Sequence, residues 1–215
     1  TEENLATSFT GGDVIGVFTV VDGQVSQSNV SMLRNDEIDG WVGQLHKEAS
    51  PDARYFAYYP WRETLNGHVN PAAETAEEFF SGVIAAWELP ADGNQSTHNI
   101  YSSYDLMVGS GTLSADKLSF SMHHQMGLVI VQLPAVRYSF TNTDITLKDY
   151  IIPAGGAYFN GVKPCMLLDG SYRYLVRPET EHAVSGGYFK EGVEHGFSAS
   201  VTLQPGHYKK YMVDG

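Results

Sequence analysis

The stretch Leu118-Ser-Phe-Ser-Met-His-His-Gln-Met-Gly-Leu-Val-Ile130 decides the fold class. Leu118, Phe120, Met122, His124, Met126, Leu128 and Ile130 fall on one alternation, with Ser119, Ser121, His123 and Gln125 opposite. Successive side chains of a strand point to opposite faces, so this pattern reads as one long half-buried strand. Beyond Gly127 both alternations turn apolar, as in a central strand covered on two sides. Working outward, further strands are expected at Val14–Val21, Tyr55–Tyr59, Val83–Leu89, Ile100–Met107, Ile145–Leu147, Tyr172–Val176, Phe197–Leu203 and Tyr208–Val213. Between them stand Asp22-Gly23, Asp39-Gly40, Asn66-Gly67, Asp92-Gly93, Asn160-Gly161 and Asp169-Gly170, dipeptides that supply the positive φ of tight turns. Short strands with frequent turns predict an all-β chain of one or two antiparallel sandwiches. One segment departs from the pattern. Asn70 can cap a helix, Pro71 suits its first position and Ala72–Phe80 is rich in Ala and Glu, which predicts a short helix or turn.

Composition narrows the class. At 215 residues the chain has room for one large domain or two of roughly 100 residues. Aromatics at 12% against charged residues at only 18% exclude a disordered chain. The longest nearly unbroken apolar stretch, Met126–Val136, contains Gln132 and Pro134 and is too short to span a bilayer as a helix. No signal-peptide pattern opens the sequence, so a secreted protein is expected to appear here in its mature form. The net charge is −12, and residues 1–113 carry 4 Lys/Arg against 16 Asp/Glu whereas residues 114–215 carry 9 of each. An acidic surface repels phosphate backbones, so nucleic acid is not an expected partner. The asymmetry predicts two units, an acidic one over residues 1–113 and a neutral one over 114–215, although one sandwich with an acidic face would also produce it. The Gly/Ser-rich stretch Gly109–Asp116 coincides with the charge shift and is the expected boundary.

A search for catalytic constellations finds none. Nucleophile-elbow, P-loop, dinucleotide and zinc-helix motifs are missing from the sequence. His123 and His124 point to opposite faces of a strand, and His124 reads as a hydrogen-bonded core histidine. Asn35-Asp-Glu-Ile-Asp-Gly40 weakly resembles a calcium loop, but its twelfth position is His46 where a bidentate Glu is needed, so a solvated acidic turn is expected. Glu74, Glu77 and Glu78 cluster at a helix start, where they face water and the helix dipole. Cys165 stands alone in an apolar run, which excludes an internal disulfide and predicts a buried, inert thiol. No cofactor and no metal are expected. The run Tyr55-Phe-Ala-Tyr-Tyr-Pro-Trp61 is the one candidate ligand platform, through Tyr55, Tyr58, Tyr59 and Trp61; because both alternations are aromatic, at least one set must pack inside.

Six pieces, in order and spanning nearly the whole chain, together resemble a known family. They are Gly12-Asp-Val-Ile-Gly-Val-Phe18, Tyr55–Trp61, Tyr104-Asp-Leu-Met107, Met122-His-His-Gln-Met-Gly-Leu-Val129, Tyr172-Arg-Tyr-Leu-Val-Arg-Pro178 and Pro205-Gly-His-Tyr-Lys-Lys-Tyr-Met-Val213. The chain resembles the fimbrillin-like (Mfa-like) family of Bacteroidales, which includes type V pilus subunits. The resemblance implies two tandem transthyretin-like antiparallel β-sandwich domains and a precursor exported as an outer-membrane lipoprotein. It further implies a non-enzymatic cell-surface role as a fimbrial subunit or adhesin component, whose partners are other pilus subunits or copies of itself. Those partners join by β-strand addition, with host surface proteins or glycans as further partners. Two departures stand out: no Lys or Arg precedes Arg34, where the family's processing site would lie, and the sequence stops just after the Pro-Gly-x-Tyr strand.

If subunits exchange a strand, the candidates are the N-terminal segment Leu5–Phe18 and the C-terminal segment Tyr208, Lys209, Lys210, Tyr211, Met212 and Val213. In the latter, Tyr211 and Val213 share a face with only Lys209 polar, and lysines protect an unpaired edge from indiscriminate pairing. The C-terminal segment is therefore the expected exchange edge. The competing function is a secreted or surface carbohydrate-binding module built on the Tyr55–Trp61 run.

Overall fold

The computed structural model describes residues 8–115, 117–138, 150–153 and 155–214, and the chain divides into two compact units. Unit 1 runs to Trp87 and takes in Leu106–His124; unit 2 takes Glu88–Asp105 and the chain from Gln125 onward. The expected strand Ile145–Leu147, and Leu5 to Thr7 of the N-terminal segment, lie outside the described residues.

Unit 1 is built on β1 (Val14–Val21), β2 (Gln24–Asn35), β3 (Gly40–Gly43), β4 (Arg54–Tyr59), β5 (Met107–Ser114) and β6 (Lys117–His124). They form one antiparallel sheet in the order β3-β2-β1-β4-β5-β6. Alternation along β1 and β4 divides their side chains between two faces. Phe18, Phe56 and Tyr58 lie under two short helices, α1 (Ala76–Phe79) and α2 (Ser81–Ala86). Phe79 stacks on Phe56 at 4.3 Å between ring centres and meets Phe18 edge-on at 5.5 Å. The opposite face buries Ile15, Val17 and Ala57 beneath Phe9, Trp41 and Leu45. Arg54 fastens the segment before α1 by donating to the carbonyls of Pro71 (2.8 Å) and Ala73.

Unit 2 contains α3 (His98–Ser102), β7 (Gly127–Gln132), β8 (Ala135–Tyr138), β9 (Tyr150–Pro153), β10 (Gly155–Phe159), β11 (Cys165–Met166), β12 (Ser171–Val176), β13 (His182–Lys190), β14 (Val193–Val201) and β15 (Tyr208–Met212). Two of its sheets, β11-β12-β7-β15 and β10-β13-β14, face each other, and among the described residues β8 and β9 form a separate two-stranded pair. Val129, Val131, Tyr174 and Val176 from the first sheet meet Val184, Tyr188 and Val201 from the second in one apolar core. Burying each such side chain stabilises the sandwich by about 1.5–3 kcal/mol. Where β11 stops, buried Gln95 takes over as partner of β12: its Nε2 donates to the Leu175 carbonyl (3.0 Å) and its Oε1 accepts from the Leu175 N–H (2.8 Å). An amide side chain here satisfies two backbone groups that a strand would otherwise pair.

The all-β reading holds, with corrections inside it. The long strand over Leu118–Ile130 is two strands, β6 and β7, that pair in different sheets on either side of Gln125-Met126. Val83–Leu89 is not a strand; Val83 and Trp87 are four residues apart on the buried side of α2 and its C-cap. Ile100–Met107 begins in α3, whose N-cap Thr97 accepts from the Ile100 N–H (3.3 Å), and only Met107 is in a strand. The helix expected over Ala72–Phe80 is confined to Ala76–Phe79. Its cap is Thr75, which accepts from the Glu78 N–H (3.2 Å), and Asn70 instead closes the preceding turn on the Ala72 N–H. The boundary expected at Gly109–Asp116 does not divide the two units, because its described residues, 109–115, lie in β5 and the turn after it, within unit 1. Its glycines serve close packing: a Cβ on Gly111 would come within 2.8 Å of Tyr55 and Phe120.

Candidate functional site

The C-terminal segment Tyr208–Val213 forms β15 and its last hydrogen bond. β7 is flanked by β12 antiparallel and by β15 parallel, in the register Tyr208 beside Leu128 through Met212 beside Gln132. The Val213 N–H donates to the Gln132 carbonyl (2.9 Å), and the Leu128 N–H to the His207 carbonyl (3.0 Å). Alternation along the strand separates two roles. Tyr211 and Val213 pack on the sandwich core, and the Tyr211 hydroxyl donates to the Ser200 carbonyl (2.9 Å). Tyr208 and Met212 are exposed on the other face, with Lys210 half-buried between them. β15 ends its sheet, and its outward backbone row has no strand partner among the described residues. Such a row is a template for another strand.

The aromatic run lies mostly in the interior. Tyr55 is 3% exposed and Tyr58 is fully buried, so neither ring can carry a ligand. The Tyr58 hydroxyl donates to Asn29 Oδ1 (2.8 Å) and accepts from the Arg62 N–H (3.1 Å), and burial pushes its pKa up to about 12. Tyr59 donates to Asp13 Oδ1 (3.0 Å) and meets the Phe9 ring edge-on. Of the four, Trp61 lines an open groove of about 650 Å³, floored by Val14, Leu33 and Val42 from three adjacent strands. Its indole N–H turns inward to the Asn29 carbonyl (3.4 Å). The groove therefore offers apolar surface without the polar edge of the indole. Leu33 and Val42 escape sequence reading because β2 and β3 do; the alternation Val30, Met32 against Ser31, Leu33, closed by Asp39-Gly40, is the signal that could have found them.

The remaining candidates resolve into structural roles. Asp36–Asp39 is a hairpin turn in which Arg34 pairs with Asp36 (3.5 Å) and Asp39, and its hydrogen bond and charge hold the Asp39 carboxyl below the usual range. Cys165 is buried, and burial raises its thiol pKa, so the nucleophilic thiolate is disfavoured. Among the described residues no group of three or more His, Cys, Asp or Glu side chains is placed to hold a metal ion. No helix among them is long and apolar enough to cross a membrane.

Comparison with known proteins identifies the surroundings of this fold. Over its full length the chain is 28% identical, in an alignment of 234 residues, to a Bacteroides ovatus protein named as fimbrium tip subunit Fim1C. It also matches the crystal structure of a fimbrial protein from Bacteroides ovatus, with a TM-score of 0.81 and 28% identity over 97% of its length. The chain is similar to Bacteroides fimbrial proteins in sequence and in fold. The structural match covers 97% of the chain and so takes in residues of both units. The chain spans under half the length of each protein, 42% of the first and 45% of the second. No protein-family model matches it.

Proposed function

We propose that this protein is a non-enzymatic structural subunit of a cell-surface fimbrium. It joins other pilus subunits, or copies of itself, by β-strand addition at the β15 edge. The observation that carries the reading is the likeness to fimbrial proteins along the whole chain, in sequence and in fold. The parallel terminal strand supports the mode of assembly. Its inward side chains Tyr211 and Val213 fit core pockets, while its outward backbone row is open to a further strand. In this reading the precursor is exported, held at the outer membrane by a lipid and then assembled, and the lysines of β15 limit pairing to the proper partner.

Deletion of residues 208–215 in the cell tests the proposal. Surface fimbriae carrying this subunit, counted by immunogold electron microscopy, should disappear while unit 1 keeps its hydrogen-exchange protection. Fimbriae at wild-type density in the deletion strain would refute the assignment of the edge. Absence of the wild-type protein from any filament would refute the structural role.

A further inference from the structure

The outer face of β10-β13-β14 carries a second surface that the assembly reading does not use. Its central row is Tyr158, Gly187 and Gly196, in register across the three strands. Because residue 187 has no side chain, the Tyr158 ring lies across β13; a Cβ on Gly187 would come within 2.7 Å of the phenol. The Tyr158 hydroxyl reaches β14 and donates to Glu194 Oε1 (2.7 Å), which fixes the ring while leaving it 42% exposed. On one side Asn160 Nδ2 donates to Ser185 Oγ (3.1 Å), and Ser185 pairs with exposed Ser198. Among the described residues the space above Gly196 is open, with only the Gly186 carbonyl, at 3.8 Å, near a Cβ built there.

We infer that this face binds a neutral saccharide, its ring stacked on Tyr158 and seated over Gly196. An exposed, immobilised aromatic ring offers an apolar stacking surface. A carboxylate has about four acceptor positions and the bond from Tyr158 uses one, so Glu194 can receive sugar hydroxyls on one side of Gly196, with Ser198 as donor or acceptor two residues beyond Gly196 on the other. An aromatic wall with a few converging polar groups is the usual make-up of a small-molecule site. Glu194 and the nearby Glu191 select against sialylated or sulfated sugars by charge. A second protein copy fits poorly. Among the described residues the face carries only Tyr158 and Phe189 as large apolar side chains amid glycine and serine, far from the apolar centre a stable dimer buries. This site is independent of β15 and goes beyond the structural reading.

The test is an array of neutral oligosaccharides ending in galactose, N-acetylgalactosamine, fucose, mannose or glucose, alongside sialylated counterparts. The probes are the wild-type protein, Gly196→Val, Tyr158→Ala and Trp61→Ala. Saturable binding to a neutral glycan is expected, at least tenfold weaker in Gly196→Val and Tyr158→Ala and unchanged in Trp61→Ala. Gly196→Val keeps the fold assignable, because valine suits an exposed strand position and should leave the melting temperature unchanged or raised. Binding to no neutral glycan, binding that survives Gly196→Val, or binding lost in Trp61→Ala alone would overturn the inference.

Discussion

Replacing Tyr58 by Phe asks whether the aromatic run is interior structure. The substitution keeps the ring and removes a fully buried hydroxyl that makes two hydrogen bonds, one to Asn29 Oδ1 and one from the Arg62 N–H. Each such bond contributes about 1 kcal/mol net, and leaving a buried partner unsatisfied raises the cost, so a loss of about 2–3 kcal/mol is expected. Urea unfolding followed by a probe in unit 1 measures this as a lower midpoint at constant slope. The pH dependence gives a second signature. Burial raises the folded-state pKa of Tyr58 to about 12, whereas an unfolded tyrosine ionises near 10. The contribution is therefore fully present below pH 10 and is lost as pH rises toward 12, by at most about 2.7 kcal/mol from this residue. The variant should lack that part of the alkaline decline. A midpoint shift worth less than about 0.5 kcal/mol, with identical alkaline profiles, would refute the packing described for Tyr58.

Three further outcomes follow from the packing. Phe79→Ala removes the ring stacked on Phe56 and should destabilise unit 1 by about 3–5 kcal/mol, read by denaturant unfolding. Gln95→Ala strands both backbone groups of Leu175 and should cost about 2–4 kcal/mol, with faster hydrogen exchange at the Leu175 amide. Arg34→Gln should raise the Asp39 pKa in an NMR titration. The stabilisation from that pair is present above the ordinary carboxylate pKa and lost as pH falls through the lowered folded value, and the variant should not show this loss.

The legible parts of the fold were those where alternation and turn chemistry agree. β1 matches its expected bounds because Val14–Val21 is apolar but for Thr19 and Asp22-Gly23 supplies a left-handed pair, with φ of 51° and 71°. β15 was legible for the same reason, including which face Tyr211 and Val213 take. β13 was missed because Gly186-Gly187 reads as a break in a strand. In place, a Cβ on Gly186 would collide with the Tyr158 backbone carbonyl of β10 and then the Phe197 ring, and a Cβ on Gly187 with the Tyr158 ring, so the glycines allow the close approach of β10 and of two aromatic side chains. The hairpins at Ala115 and at Glu191-Gly192 lack the Asn-Gly or Asp-Gly signal, although Ala115 and Glu191 adopt positive φ. Val83-Ile84 favours strand by local preference, but Phe79, Phe80 and Val83 bury one face of a helical pair, and that tertiary burial prevails. Pattern could not divide Leu118–Ile130 either, because a strand keeps its alternation when the chain changes sheets. The fate of Tyr55–Trp61 was open for a related reason: both faces of β4 are buried, so alternation offers no contrast.

The proposed assembly joins fimbrial subunits through β15. Its most direct test places a photo-crosslinking residue at Met212, exposed on that strand, in cells that display the fimbria. A ladder of covalent adducts between neighbouring pilus subunits is expected, absent when the same residue stands at exposed Ile38 in unit 1. Intact filaments containing the protein but yielding no intersubunit adduct from Met212 would contradict it.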